Sequence, residues 1–363
     1  MPYWRLSGFY FFFFAAMGAF VPFWNLYLQN EGFDARQIGI LSAVFMGTRI
    51  FAPNIWAWVA DTTGYRVLVI RIGALTAALS FTAILLDLSF FALAGLFVVF
   101  SFFWNAVLAQ FEVVTLHFLG DQYAKYSRVR LWGSIGFIVA ASGLGVVFNY
   151  YNITLLPIIL LVLLASIFVC TCLIDGSRET AHADQSQSFS ELWAILRQPA
   201  IWGFFAVCFL LQFSHGPYYT FYSIYMEELN YSSTVVGLLW SLGVAAEVGI
   251  FIIMHKLLSR FGVRPILLAS LVLATLRWLV IGTMADSLWI LLAAQLLHAA
   301  TFGTFHCAGI ELIRQRFPAK FAGQGQAFYS ASSFGLGGAV GAYMSGTLWD
   351  TLHSGIFIVA ALA

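Results

Sequence analysis

Residues 57–66 read AWVADTTGYR, and residues 259–265 read SRFGVRP. The first stretch runs out of the apolar run 37–60 into the apolar run 67–87. The second joins 234–258 to 265–285 in the same way. A shift of 198 residues lays Gly64 on Gly262, Arg66 on Arg264 and Gly39 on Gly237. A shift of 199 lays Glu112 on Glu311 and Gly136 on Gly335. Each half therefore carries the same order of apolar runs and polar turns. Runs of about 20 apolar residues are long enough to cross a bilayer as helices. The repeat predicts an all-α membrane protein built from two similar bundles in parallel.

Composition points the same way. The 363-residue chain is 61% hydrophobic and 9% charged, with mean hydropathy +0.88, whereas soluble domains are about 25% charged. Too few polar residues remain to cover a surface facing water, so the chain must face lipid. A net charge of +1 gives no bulk attraction for nucleic acid. Cys170, Cys172, Cys208 and Cys307 lie in apolar runs with neither zinc spacing nor a disulfide framework, so we expect no metal. None of the three lysines follows a glycine, which excludes a phosphate-binding loop. No Ser/His/Asp set stands out, and the polar segments are too short to hold an active site. We expect no enzyme and no cofactor. The first apolar run, Leu6 to Leu28, is too long for a signal h-region and lacks a small-residue cleavage site.

Apolar runs fall near 7–29, 37–60, 67–87, 89–117, 131–150, 153–174, 200–226, 234–258, 265–285, 288–313 and 325–349, with a further start at 354. This predicts eleven full spans and the beginning of a twelfth, since residues 354–363 make only about 15 Å of helix. Lysines and arginines set the orientation. Arg5, Arg66, Lys125, Arg128, Arg130, Arg178, Arg197, Lys256, Arg260, Arg264, Arg314, Arg316 and Lys320 fall on the side of the N-terminus, against Arg36 alone on the other. The N-terminus is expected in the cytoplasm. The polar stretch 175–198 reads as a cytoplasmic linker between a six-helix lobe, 1–174, and a second lobe, 199–363.

The loop 57–66 resembles the signature loop G-x-x-x-D-x-x-G-R-R/K of the major facilitator superfamily. Asp61, Gly64 and Arg66 match it, while Ala57 and Tyr65 depart from it. The second copy keeps Gly262 and Arg264 but has Ser259 in place of the acid. The resemblance implies a major facilitator fold, with Asp61, Gly64 and Arg66 in a gating loop. The stretches SRVRLWGSIGF (127–137), HGPYYTFYSIY (215–225), LHAATFGTFH (297–306) and YSASSFGLGGAVGA (329–342) are similar to the lactose-permease-like group, and within it to the 3-phenylpropionate permease family. That implies a bacterial inner-membrane permease.

Charge inside a span is costly and usually functional. Arg49, Glu112, Glu247 and Arg277 lie well inside spans; Arg71 and Glu311 lie nearer the ends. Glu247 and Arg277 fall at similar depth on consecutive helices, which predicts a buried ion pair. The lactose-permease resemblance implies coupling roles for this acid and this arginine. His298 and His306 share the tenth span, and histidine relays protons near neutral pH. The resemblance places a coupling histidine there, with an acid three residues later. Here those positions are Thr301 and Gly309, so the coupling route departs from the pattern. Glu247, Arg277, His298 and His306 are the proton-coupling candidates.

Asn105 and Glu112, seven residues apart, share a helix face. Arg130, Arg71 and Arg49 are possible partners for Glu112. Gly216-Pro217 breaks the seventh span beside His215, Tyr218, Tyr219 and Tyr222, which suits an aromatic ligand with a polar end. Gly337 and Gly341 are spaced for close helix packing. Arg49 has no acid near it in its own span, and a guanidinium in a dry site receives a carboxylate in bidentate fashion. Arg49, Asn105, Glu112, His215, Tyr218 and Tyr219 are the substrate-binding candidates. The expected function is a monomeric proton symporter importing an aromatic carboxylate. Nucleoside or sugar symport is the alternative within transport. A membrane sensor that binds without moving solute is the alternative of another class.

Overall fold

A computed structural model describes residues 2–120, 122, 125–176 and 189–363. Every regular element among them is helical. Ten helices are long and apolar enough to cross a membrane. They are α1 (Tyr3–Asn30), α2 (Ala35–Thr63), α3 (Arg66–Leu85), α4 (Phe90–Leu119), α5 (Tyr126–Tyr150), α6 (Ile153–Cys172), α7 (Pro199–Glu228), α8 (Ser233–Phe261), α9 (Val263–Met284) and α10 (Leu288–Arg316). The run 322–352, α11, is continuous helix but is not among the ten, because serines, glutamines and glycines dilute its apolar character. The last helix, α12, is Gly355–Leu362. Arg178 and most of the expected linker lie outside the described residues. The described part of that linker is not uniformly loop. A helix, Phe189–Leu196, packs on the start of α7 and buries Leu196 against Ile201 and Phe204. Glu191 on it pairs with Lys320.

Within the first half, α1 packs on α5 and α6, and α4 on α3. In the second half, α8 packs on α10, and α9 on α10 and α12. Two long contacts join the halves, α5 with α8 and α2 with α11. Glycines make these crossings possible. A Cβ on Gly237 would stand 2.2 Å from the Ala141 carbonyl oxygen, and one on Gly39 would stand 2.6 Å from the Cα of Gly346. The expected close packing at Gly337 and Gly341 is present against α7, whose Phe209 and Phe213 carbonyls leave no room for a Cβ.

Hydrogen bonds add to these crossings on the side of the α1–α2 loop. Asn25 Nδ2 donates to the carbonyls of Tyr219 (3.2 Å) and Thr220 (2.9 Å), while its Oδ1 accepts from Ser42. Ser142 and Ser241 meet at 2.7 Å, and Thr234 donates to the Gly145 carbonyl. The two halves are thus locked together at that end.

The helices are interrupted at mid-length. α2 tightens into a 3-10 turn at Thr48–Ile50. α7 breaks at His215, where Pro217 cannot donate. α10 widens into a π-segment at Ala299–Thr304, and α11 does so at Ala331–Gly337. The turn in α2 packs on the π-segment of α11. Such interruptions expose backbone groups and recur at functional sites. Here they surround the middle of the bundle, where the charged residues lie.

Candidate functional site

Arg277 is completely buried on α9. Its Nε donates to the Ala294 carbonyl (3.0 Å), its two terminal nitrogens to His298 Nδ1 (2.9 Å), Thr301 Oγ1 (3.3 Å) and Gln295 Oε1 (3.3 Å). Its guanidinium lies over the rings of Tyr218 (4.3 Å) and Trp278 (4.6 Å). Every partner comes from α7, α9 or α10, so the cation is held by three helices at once. That is how a charge survives at this depth.

The expected direct pair between Glu247 and Arg277 gives way to a chain. His298 stands between them, with its Nε2 2.8 Å from Glu247 Oε1. Arginine only donates, so Nδ1 of His298 must accept. A neutral imidazole that accepts at Nδ1 carries its hydrogen on Nε2, and so donates to Glu247. The order is guanidinium, imidazole, carboxylate, with each donor pointing toward the acid. A second proton on His298 would have to displace the Arg277 bond. In this arrangement the group free to take up a proton is Glu247. The π-segment begins at the residue after His298, and Gly243 on α8 leaves room for the ring, its absent Cβ lying 3.2 Å from Cδ2.

Arg49 occupies the 3-10 turn of α2 and is partly exposed. Its guanidinium lies 5.8 Å from the Phe45 ring, and it makes no hydrogen bond or ion pair among the described residues. The turn is held by Asn105, which donates to Thr48 Oγ1 at 2.9 Å. Asn105 therefore serves the backbone around Arg49. Tyr219, on α7, is partly exposed.

The other candidates are placed as follows. Tyr218 is buried beneath Arg277 and donates to Gln295. His215 is buried completely and its Nδ1 meets the Leu211 carbonyl at 2.7 Å. Both are buried among α7, α9 and α10. His306 bonds to Tyr329 (3.1 Å) and is not a member of the Glu247 chain. Glu112 accepts from Tyr126 at 3.5 Å. It makes no hydrogen bond or ion pair with Arg49 among the described residues, and Arg71 is engaged elsewhere, donating to the Thr171 and Ile174 carbonyls at the end of α6. In the loop after α2, Arg66 bridges Asp61 and Gln110, and Gly64 takes a left-handed φ of 72°.

One residue absent from the sequence reading belongs here. Gln295 accepts from both Arg277 and Tyr218. A glutamine three residues before a histidine on an apolar helix was the available signal. Arg130, named above as a possible partner of Glu112, has its guanidinium over the Phe14 ring at 3.9 Å, where Gly133 gives it room.

The chain matches the MFS_1 like family over residues 3–359. It is 30% identical to the "Probable 3-phenylpropionic acid transporter" of Escherichia coli (strain K12), covering 99% of this chain and 94% of that protein. It is 26% identical to the maltose permease of Geobacillus stearothermophilus, over 91% and 83% of the two chains. The crystal structure of a mutant of the nucleoside transporter NupG superposes with a TM-score of 0.89 at 17% identity, covering 99% of this chain and 96% of that one. Two helical halves, charge buried at their middle and these relatives converge on one identity: the chain belongs to the MFS_1 like family, as a multi-pass membrane transporter of the major facilitator type and not an enzyme.

Proposed function

We propose that the protein is a proton symporter of the bacterial inner membrane that carries a small aromatic carboxylate into the cell. The carrying observation is the split of charge across the two halves. An unpartnered guanidinium, Arg49, stands in the first, and a carboxylate that can change charge, Glu247, stands in the second. Arg49 receives the substrate carboxylate, and Glu247 takes the proton. Neutralising Glu247 changes the charge between the halves by one unit, in a region where charge is costly to leave exposed.

The distribution of lysine and arginine supports a cytoplasmic N-terminus, which makes the α1–α2 loop end the outer face. The structure then corresponds to a transporter closed to the outside. The lobes are 1–174 and 199–363, and the protein works as a monomer with no cofactor beyond the proton gradient. The 30% identity to a protein named for 3-phenylpropionic acid favours that substrate class. The maltose permease relative keeps sugar as a second reading.

The test is uptake of radiolabelled 3-phenylpropionate into vesicles under an imposed pH gradient, with maltose and a nucleoside alongside. Accumulation of the aromatic acid only when the outside is acid supports the proposal. Accumulation of maltose or the nucleoside instead moves the substrate, and binding without accumulation of any solute makes the protein a sensor.

A further inference from the structure

We propose that the aromatic cavity between α1, α2, α3, α4 and α6 is the ring subsite of the substrate that Arg49 anchors. This rests on the aromatic-carboxylate reading above and specifies where its apolar part goes. Phe20, Phe45, Phe81, Phe100 and Trp104 form its aromatic wall, and Leu160 and Leu164 close it on the α6 side. Its lining is wholly apolar, and as it stands the space holds no more than a water-sized body, so a ring enters only if a side chain turns. Phe81, Phe100 and Trp104 are buried, while Met17 and Phe20 on α1 keep partial exposure, so the mouth is on the α1–α2 side.

Phe45 belongs to both features. It walls the cavity, and its ring is the one beside the Arg49 guanidinium. The guanidinium carbon is 5.8 Å from the centre of that ring, so one small ligand can reach both.

The occupant is a ring by the chemistry of the walls. The Phe81–Phe100 pair is spaced at 5.0 Å, Phe100–Trp104 at 5.9 Å and Phe45–Phe100 at 6.2 Å. These are separations at which offset and edge contacts are favourable, and an added aromatic ring gains such contacts beyond simple burial. A polar sugar would lose its hydrogen bonds there. Entry requires Phe45 or Phe20 to turn, which makes the subsite one that opens on binding.

The experiment measures equilibrium binding to the full-length purified protein by calorimetry. Two ligands are used, 3-phenylpropionate and the uncharged ring probe benzyl alcohol. Ala16→Leu and Leu164→Phe fill the cavity from sides away from Arg49, and Phe45→Leu widens it. The expected result is binding of both ligands by the wild type. Each filling variant weakens both about ten-fold or more, Phe45→Leu tightens benzyl alcohol, and Arg49→Gln weakens the acid alone. If both ligands bind as before in the filling variants, with Phe45→Leu also unchanged, the ring lies elsewhere and the subsite is overturned, while the aromatic-carboxylate reading stands. If benzyl alcohol binds and responds to filling but 3-phenylpropionate does not bind, the subsite stands and the carboxylate reading falls. Binding of neither ligand by the wild type overturns both.

Discussion

At the scale of single residues, the two arginines deepest in the bundle have opposite situations. Arg277 makes four hydrogen bonds and lies over two rings; Arg49 lies over one ring at 5.8 Å and makes no hydrogen bond among the described residues. A hydrogen bond to a charged group contributes about 1.5–3 kcal/mol. Replacing Arg49 by Gln should therefore reduce uptake of an aromatic carboxylate by roughly ten- to a hundred-fold, with surface expression unchanged. Arg49→Lys keeps the charge but loses the fork, and should fall between the two. The bridging role of His298 makes a sharper prediction. Glutamine can accept from Arg277 through its oxygen and donate to Glu247 through its nitrogen, as the neutral imidazole does. His298→Gln should retain a large part of proton-driven uptake, and His298→Leu should abolish it. Loss in both variants, measured under the same pH gradient, would mean that the imidazole itself titrates. The sequence put Glu247 and Arg277 at one depth because depth follows from residue count. It did not place His298 between them, because that depends on how far α8, α9 and α10 are rotated toward one another.

At the scale of elements, helix positions were legible in the apolar runs because a bilayer forces every backbone group to bond within its own segment. Ten runs became ten helices whose ends lie within a few residues of the expected ones. The break at Gly216-Pro217 was legible for the same reason that any proline break is. The π-segments were not. Ala299–Thr304 and Ala331–Gly337 contain no proline, and their widening answers to contacts with other helices. The glycine crossings lie between these cases. The repeat aligned Gly39 with Gly237, but only the structure showed that both stand where the halves meet. A side chain at Gly237 meets the Ala141 carbonyl at a distance no Cβ tolerates. Gly237→Val should hold α5 and α8 apart at the outer end. Cysteine at Ser142, which now faces Ser241, should then become accessible to a membrane-impermeant thiol reagent from outside. Uptake should fall more than ten-fold while the protein stays folded. Protection of Ser142→Cys in the Gly237→Val background would show that the crossing repacks without opening.

At the scale of the whole molecule, alternating access needs two states close enough in free energy for a proton and a solute to choose between them. The end at the α1–α2 loop, the outer one on the proposed orientation, is held by interactions of very different kinds. The glycine crossings are van der Waals contact over long stretches, and Asn25 is a single side chain. Its amide donates to two carbonyls of α7 next to the break at His215, while its oxygen is fixed by Ser42 of α2. It thus ties α1 and α2 of one half to α7 of the other, at a position where the backbone of α7 is already interrupted. Each such bond is worth about 1 kcal/mol net, so Asn25→Ala should shift the balance toward the outward-open state by roughly 1–2 kcal/mol, or about five- to thirty-fold in population. Spin-label distances across the outer end should report a longer component in Asn25→Ala than in the wild type. On the proposed role of Glu247, acidifying the medium neutralises it in both proteins, but the variant starts nearer the midpoint of its equilibrium. Its distance distribution should therefore respond to protonation differently from that of the wild type. Glu247→Gln in the same background should remove that response and leave the Asn25 shift intact. A response that persists without Glu247 would assign the proton to another group and leave Asn25 as a structural tie alone.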